Sequence, residues 1–268
     1  MKIAGRTIVI TGASSGIGAA LAKEAAAAGG RVVLLARTQS ALDRVATDIH
    51  VAGGAASIYP VDLTDAGAVE RVARSLLADV GTPDILISNA GAGRWLFVEE
   101  TSPGEAVAMM AMPYFAAFYI TRALLPAMLK RHTGQIVYVN SPASLVAWPG
   151  ATGYTAARWA LRGFAEALRA DLRGTGIRVT TVIPGKVSSS YFDNNPGVEE
   201  RAPGLARLLP TLTPERTASM ILRGIERDQR QIIIPGALRM LTWLNAVAPG
   251  LVRWLTTVTG ARRPRAKL

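Results

Sequence analysis

The chain has 268 residues and a formal net charge of +11; 50% of its residues are hydrophobic and none is cysteine. That apolar content is ample for a buried core and excludes a disordered chain. The missing thiols exclude a disulfide framework and any thiolate-held metal, and they fit a reducing compartment.

The chain opens Met1-Lys2-Ile3-Ala4-Gly5-Arg6-Thr7 and runs at once into a short apolar segment, too brief and interrupted for a signal peptide. Strands are predicted over 7–10, 31–36, 57–61, 84–88, 135–140, 178–183 and 231–234. They are near-continuously apolar, as strands covered on both faces should be. Helices are predicted between them, over 17–28, 66–78, 103–130, 152–173 and 214–227. The longest apolar stretch, 106–120, falls short of a membrane span and contains Pro113, so it reads as a buried or subunit-facing helix. Strand–helix alternation at this spacing implies right-handed crossovers and a Rossmann-like, doubly wound α/β fold. A parallel sheet of about seven strands in one domain, residues 1–236, is expected, with apolar helices and a basic tail over 237–268. The irregular segment 188–213 reads as a lid or substrate-binding insertion.

The first strand leads into Thr11-Gly12-Ala13-Ser14-Ser15-Gly16-Ile17-Gly18 and an alanine-rich helix. Gly12 permits a tight turn, Gly16 lets the backbone approach a pyrophosphate, and Gly18 lets the helix pack on the strand. Phosphate then meets the unpaired N–H groups of the helix start, including those at Ser14, Ser15 and Ile17. A carboxylate at the end of the second strand would bond a ribose 2′-hydroxyl. Here Ala36-Arg37 stands instead, and Arg37 is suited to a 2′-phosphate, so NADP is expected over NAD.

Three residues between the first two glycines is the spacing found in short-chain dehydrogenases, and further segments resemble that family in order. The resemblance implies that Asp62-Leu63 contacts the adenine, and that Asn89-Ala90-Gly91 supports the sheet along the cofactor. It also implies that Pro184-Gly185-Lys186-Val187 holds the nicotinamide carboxamide, with Ser189 where the family often has Thr. Ser141 and Tyr154, thirteen residues apart, match the family's catalytic pair; Ser144 lies nearby, but the register favours Ser141. Reducing a carbonyl needs a hydride at carbon and a proton at oxygen. Tyr154 would exchange the proton as general acid or base. Ser141 would donate a hydrogen bond to the substrate oxygen. A free phenol ionises near pH 10, so a neighbouring cation is needed.

Two positions depart from the family. Arg158 stands where the family has lysine, one helical turn after Tyr154. It keeps the charge and can still bond ribose hydroxyls, but it cannot lose a proton. Pro113 stands where the family has an asparagine that interrupts a helix and holds a relay water; proline disrupts a helix too, without the amide.

Two functional readings follow. In the first, the protein is an NADP(H)-dependent carbonyl reductase or alcohol dehydrogenase for a bulky apolar small-molecule substrate. Trp95, Phe97, Trp148, Tyr191 and Phe192, in loops beyond the strand ends, would line its pocket. In the second, it is a catalytically impaired dinucleotide-binding sensor or scaffold, for which the two replacements speak. No metal site is expected. The scattered arginines fit a solvated surface and no nucleic-acid partner. A cytoplasmic homo-oligomer is expected.

The C-terminus carries Leu238, Leu241 and Leu244 on one helical face beside Met240 and Trp243. After Pro249-Gly250, Leu251, Trp254, Leu255 and Val258 follow at helical spacing, and then a basic tail. These segments read either as an interfacial anchor on anionic lipid or as a cover for the sheet edge or a partner subunit.

Overall fold

The computed structural model describes residues 1–189, 195, 198 and 201–263, without the side chains of 207 and 208. Seven parallel strands form one sheet in the order β3-β2-β1-β4-β5-β6-β7. They are β1 (Thr7–Thr11), β2 (Arg31–Ala36), β3 (Ala55–Pro60), β4 (Ile85–Ser88), β5 (Gly134–Val139), β6 (Ile177–Pro184) and β7 (Gln231–Ile234). The doubly wound architecture is the one the alternation of elements predicts. The strand order reverses between β1 and β4, and a crevice must open at their carboxyl ends.

Helices cover both faces. On one, α1 (Gly16–Ala27), α2 (Gln39–Val51) and a later helix, Pro214–Glu226, bury Leu21, Leu42, Ile49 and Ile221 against Ile8, Ile10 and Leu34. On the other, α3 (Ala66–Asp79), a long composite helix and Thr152–Asp171 bury Leu76, Ile120, Leu124 and Leu161 against Val9, Leu86 and Ile136. The predicted strands match this pattern except at β3. It begins at Ala55, two residues before the expected start, and its side chains are half-exposed at the margin of the sheet. Helix α2 was not among the predicted helices, although Leu42, Val45, Ala46 and Ile49 mark its buried face.

The proline at 113 does not break its helix. α4 (Pro103–Met110) passes through one π-helical turn, Ala111–Phe115, into α5 (Ala116–Arg131). Pro113 has no N–H for the carbonyl four residues back; the ladder widens, and Ala116 N–H reaches back to Ala111 O. By length and composition the rod Pro103–Arg131 could cross a membrane, but Ile120, Leu124 and Met128 are fully buried on the sheet.

After α6 (Thr152–Asp171), β6 and α7 (Pro214–Glu226), the chain finishes with α8 (Gly236–Val247) and α9 (Pro249–Thr259). These two pack on each other, on β7 and on the short 3-10 turn Gly204–Leu208, across the carboxyl end of the sheet.

Candidate active site

A cleft of about 1180 Å³ opens at the carboxyl ends of the strands. The glycine turn forms one wall. Gly12 and Gly16 have φ of +64° and +53°, which favour glycine. A Cβ on Gly12 would lie 2.9 Å from Ala90 Cα, and one on Gly18 would lie 2.1 Å from Gly12 O. No side chain caps α1, and no acidic residue sits in its first turn, so its N–H groups face the cleft without a competing anion.

The Asn89-Ala90-Gly91 turn braces that loop. Asn89 and Ala90 N–H both donate to Thr11 Oγ1 at 3.0 Å, and Asn89 Nδ2 donates to Thr11 O at 3.1 Å. Gly185 N–H donates to Ile234 O at 2.7 Å, which ties the loop after β6 to the last strand. That loop brings Ser189 against Gly16, where a Cβ would stand 3.3 Å from Ser189 Cβ.

Gly12, Ser14, Ser15, Gly16, Ile17, Arg37, Leu63, Asn89, Ala90, Gly91, Pro184, Gly185, Val187 and Ser189 all line this one cleft, as do Ser141, Tyr154 and Arg158. Two of the expected cofactor residues do not. Gly18 lies behind the wall, packed on Gly12, a position that admits the helix rather than a ligand. Asp62 turns aside to cap its own loop, accepting from Thr64 N–H at 2.9 Å and Thr64 Oγ1 at 2.7 Å. Those bonds, then the Arg37 charge, hold its carboxyl below the usual range.

Ser141 ends the run begun by β5. Its hydroxyl accepts from Ala143 N–H at 3.3 Å and has its own proton to give. Ser144 is fully buried and spends its proton on Ser141 O at 2.6 Å, outside the cleft lining. Tyr154 and Arg158 lie one turn apart on α6 and are 5% and 6% exposed. The guanidinium carbon of Arg158 sits 5.0 Å from the Tyr154 ring centroid, and Nη1 donates to Val139 O at 3.3 Å. Asn140 Nδ2 donates to Arg158 O at 3.1 Å, binding α6 to the end of β5. Neighbouring glycines make room for both side chains. A Cβ on Gly91 would stand 2.8 Å from Arg158 Nη2, and one on Gly93 would stand 2.7 Å from Tyr154 Cδ2.

The aromatics divide. Trp95 packs on Tyr154 at 5.8 Å and on Trp148 edge-on at 5.1 Å, and both tryptophans line the cleft. Phe97 does not; it is buried beneath the guanidinium groups of Arg201 and Arg263. Tyr191 and Phe192 lie outside the described residues. Sequence reasoning missed the cleft's roof. Leu241 and Thr242 of α8 and Val252 and Thr256 of α9 line it, as does Met112 of the π turn. Their signal was a second apolar face on each C-terminal helix.

The short chain dehydrogenase family matches residues 6–197. A fatty acyl-CoA reductase of Acinetobacter baylyi is 34% identical over 96% of this chain and 85% of its own length. An uncharacterized oxidoreductase of Mycobacterium bovis is 36% identical over 87% of this chain and 67% of its own. Among solved structures, a short chain dehydrogenase/reductase from Burkholderia phymatum in complex with NAD superposes with a TM-score of 0.83 at 25% identity, covering 94% of this chain and 97% of that one. An alcohol dehydrogenase from Thermococcus sibiricus complexed with 5-hydroxy-NADP gives 0.74 at 25% identity, covering 85% and 94%. With the family matched over residues 6–197 and relatives similar over most of their length, the chain belongs to the short-chain dehydrogenase/reductase family of oxidoreductases.

Proposed function

We propose that the protein is an NADP(H)-dependent reductase of apolar carbonyl compounds, running in reverse as an alcohol dehydrogenase. The observation that carries this is the convergence of Ser141, Tyr154 and Arg158 on the same cleft wall, with Arg37 exposed at its other end. The cradle fits a dinucleotide: glycines that leave no room for a Cβ, an uncapped helix start for a pyrophosphate, and the Pro184–Ser189 loop across from it. The solved relatives bind NAD or NADP, so the choice rests on Arg37, whose guanidinium suits a 2′-phosphate.

When bound, a nicotinamide dinucleotide supplies or accepts the hydride. Tyr154 Oη exchanges the proton at the substrate oxygen, and Ser141 Oγ–H donates to that same oxygen. Arg158 keeps a permanent positive charge beside the reacting groups and offers donors to ribose hydroxyls. Trp95, Trp148, Leu145, Leu209 and Leu241 give the substrate end an apolar lining. That lining suits a long acyl or alkyl group, in keeping with the relative described as a fatty acyl-CoA reductase.

Purified protein with NADPH and a series of aldehydes and ketones of increasing chain length should show turnover that improves with apolar size. Tyr154→Phe should lower kcat by about a hundredfold or more with little change in NADPH affinity, since it deletes the transferable proton. Tight NADPH binding with no turnover on any carbonyl would replace this reading with that of a dinucleotide sensor.

A further inference from the structure

Each C-terminal helix is apolar on two faces. The inner faces roof the cleft through Leu238 and Leu241 on α8 and through Val252 and Thr256 on α9. The outer faces present Met240, Trp243 and Val247 on α8, and Leu251, Trp254 and Val258 on α9, all well exposed. Both triplets have the same spacing, three and then four residues, and so form one stripe along each helix. An exposed apolar stripe on a helix whose inner face is already buried marks a surface for an apolar partner.

The charge around the stripe says what that partner is. From Gln229 to Leu268 the sequence holds no Asp or Glu, while Arg230, Arg239, Arg253, Arg262, Arg263, Arg265 and Lys267 are basic. Arg239 and Arg253 are exposed on the two helices, next to Met240 and Trp254. Tryptophan prefers the headgroup level of a bilayer, and arginine there meets lipid phosphate while its stem stays in the apolar layer. An acid-free, arginine-flanked apolar stripe complements an anionic surface with an apolar layer beneath it.

We propose that α8 and α9 together dock the protein on an anionic phospholipid surface, lying in the interface with Trp243 and Trp254 inserted. A second groove, of about 560 Å³, runs beside this hairpin past Asn245, Pro249 and Arg253 to Trp159. It shares Leu145, Val146 and Trp148 with the main cleft. As part of the same proposal, a bilayer-dissolved carbonyl compound enters along this groove, past the three shared residues, toward Tyr154. This second part rests on the reading of the cleft as a carbonyl reductase site; the docking itself does not.

Full-length protein should sediment with phosphatidylcholine vesicles containing phosphatidylglycerol and not with phosphatidylcholine alone, and high salt should release it. Arg239→Gln and Arg253→Gln should each weaken binding roughly fivefold. Trp243→Ser with Trp254→Ser should weaken it by more than about tenfold with Tm unchanged, because both side chains are exposed. No sedimentation of the parent with anionic vesicles would overturn the proposal. So would a concentration-dependent dimer that the tryptophan pair abolishes while vesicle binding is absent, since a second copy would then cover the stripe. For the passage, the tryptophan variant should lose kcat/KM on a vesicle-dissolved long-chain aldehyde and keep it on a short water-soluble one. Equal loss on both would overturn the passage, and absence of turnover in parent and variant alike would count against the reductase reading while leaving the docking result standing.

Discussion

Neighbouring glycines leave the room that the side chains of Tyr154 and Arg158 occupy. Guanidinium is broader than ammonium, and the extra Nη2 lies where Gly91 has no side chain. Gly91→Ala should therefore lower turnover by about tenfold by displacing Arg158. The same change in an Arg158→Lys background should cost far less, because lysine has no atom at that place; a double-mutant cycle in kcat and NADPH affinity measures the coupling. Equal losses in both backgrounds would show that the loop and the guanidinium are not fitted to one another. Arg37 is the second residue with a definite expectation. Arg37→Asp should weaken NADP binding by about 1.5–3 kcal/mol and improve NAD, because a carboxylate repels the 2′-phosphate and accepts from a 2′-hydroxyl. Affinity titrations with both cofactors decide it.

Among the elements, the turn over 97–100 holds together segments far apart in sequence. Arg201 Nη2 donates to Glu100 Oε1 at 3.0 Å, Arg263 Nε pairs with Glu99 at 2.9 Å, and both guanidinium groups lie over Phe97. The segment after β6 and the end of α9 are thus clamped to the loop that carries Trp95. The Arg201 bond, then the Phe97 N–H, lowers the Glu100 carboxyl from 4.5 to about 2. A carboxyl depressed in the folded state contributes stability above its unfolded value and loses it as pH falls toward the folded one. The clamp should hold at pH 6 and loosen between about pH 4.5 and pH 2. Protection of the Phe97 N–H, which donates to Glu100 at 2.9 Å, from hydrogen exchange should fall as pH is lowered through that window. Exchange indifferent to pH beyond the intrinsic rate would mean the pair does not close the turn. The helix from 103 to 131 shows a different adjustment: where the sequence led one to expect a disruption at Pro113, one π turn absorbs the missing bond and turns Met112 toward the cleft.

For the whole molecule, the C-terminal pair belongs to the catalytic body as its roof. Truncation after Gly236 removes the buried side chains of Leu238, Val252 and Thr256 and opens the cleft to water. Tm should fall by several degrees and KM for long-chain substrates should rise; burying one such aliphatic side chain is worth about 1.5–3 kcal/mol. An unchanged Tm would show that the helices rest on the sheet without stabilising it. The sequence alone determined the doubly wound sheet, since its strands and helices alternate in hydrophobic period. It also determined the glycine turn and the one-turn spacing of Tyr154 and Arg158, which rest on residues close in the chain. What it left undecided were the properties made by distant segments meeting. Asp62 bonds its own loop, Phe97 lies beneath two arginines, Ser144 is buried, and α8 and α9 divide their apolar residues between the cleft and the solvent. Hydrophobic spacing tells that a helix has an apolar face; which neighbour covers that face is decided only when the chain folds back on itself.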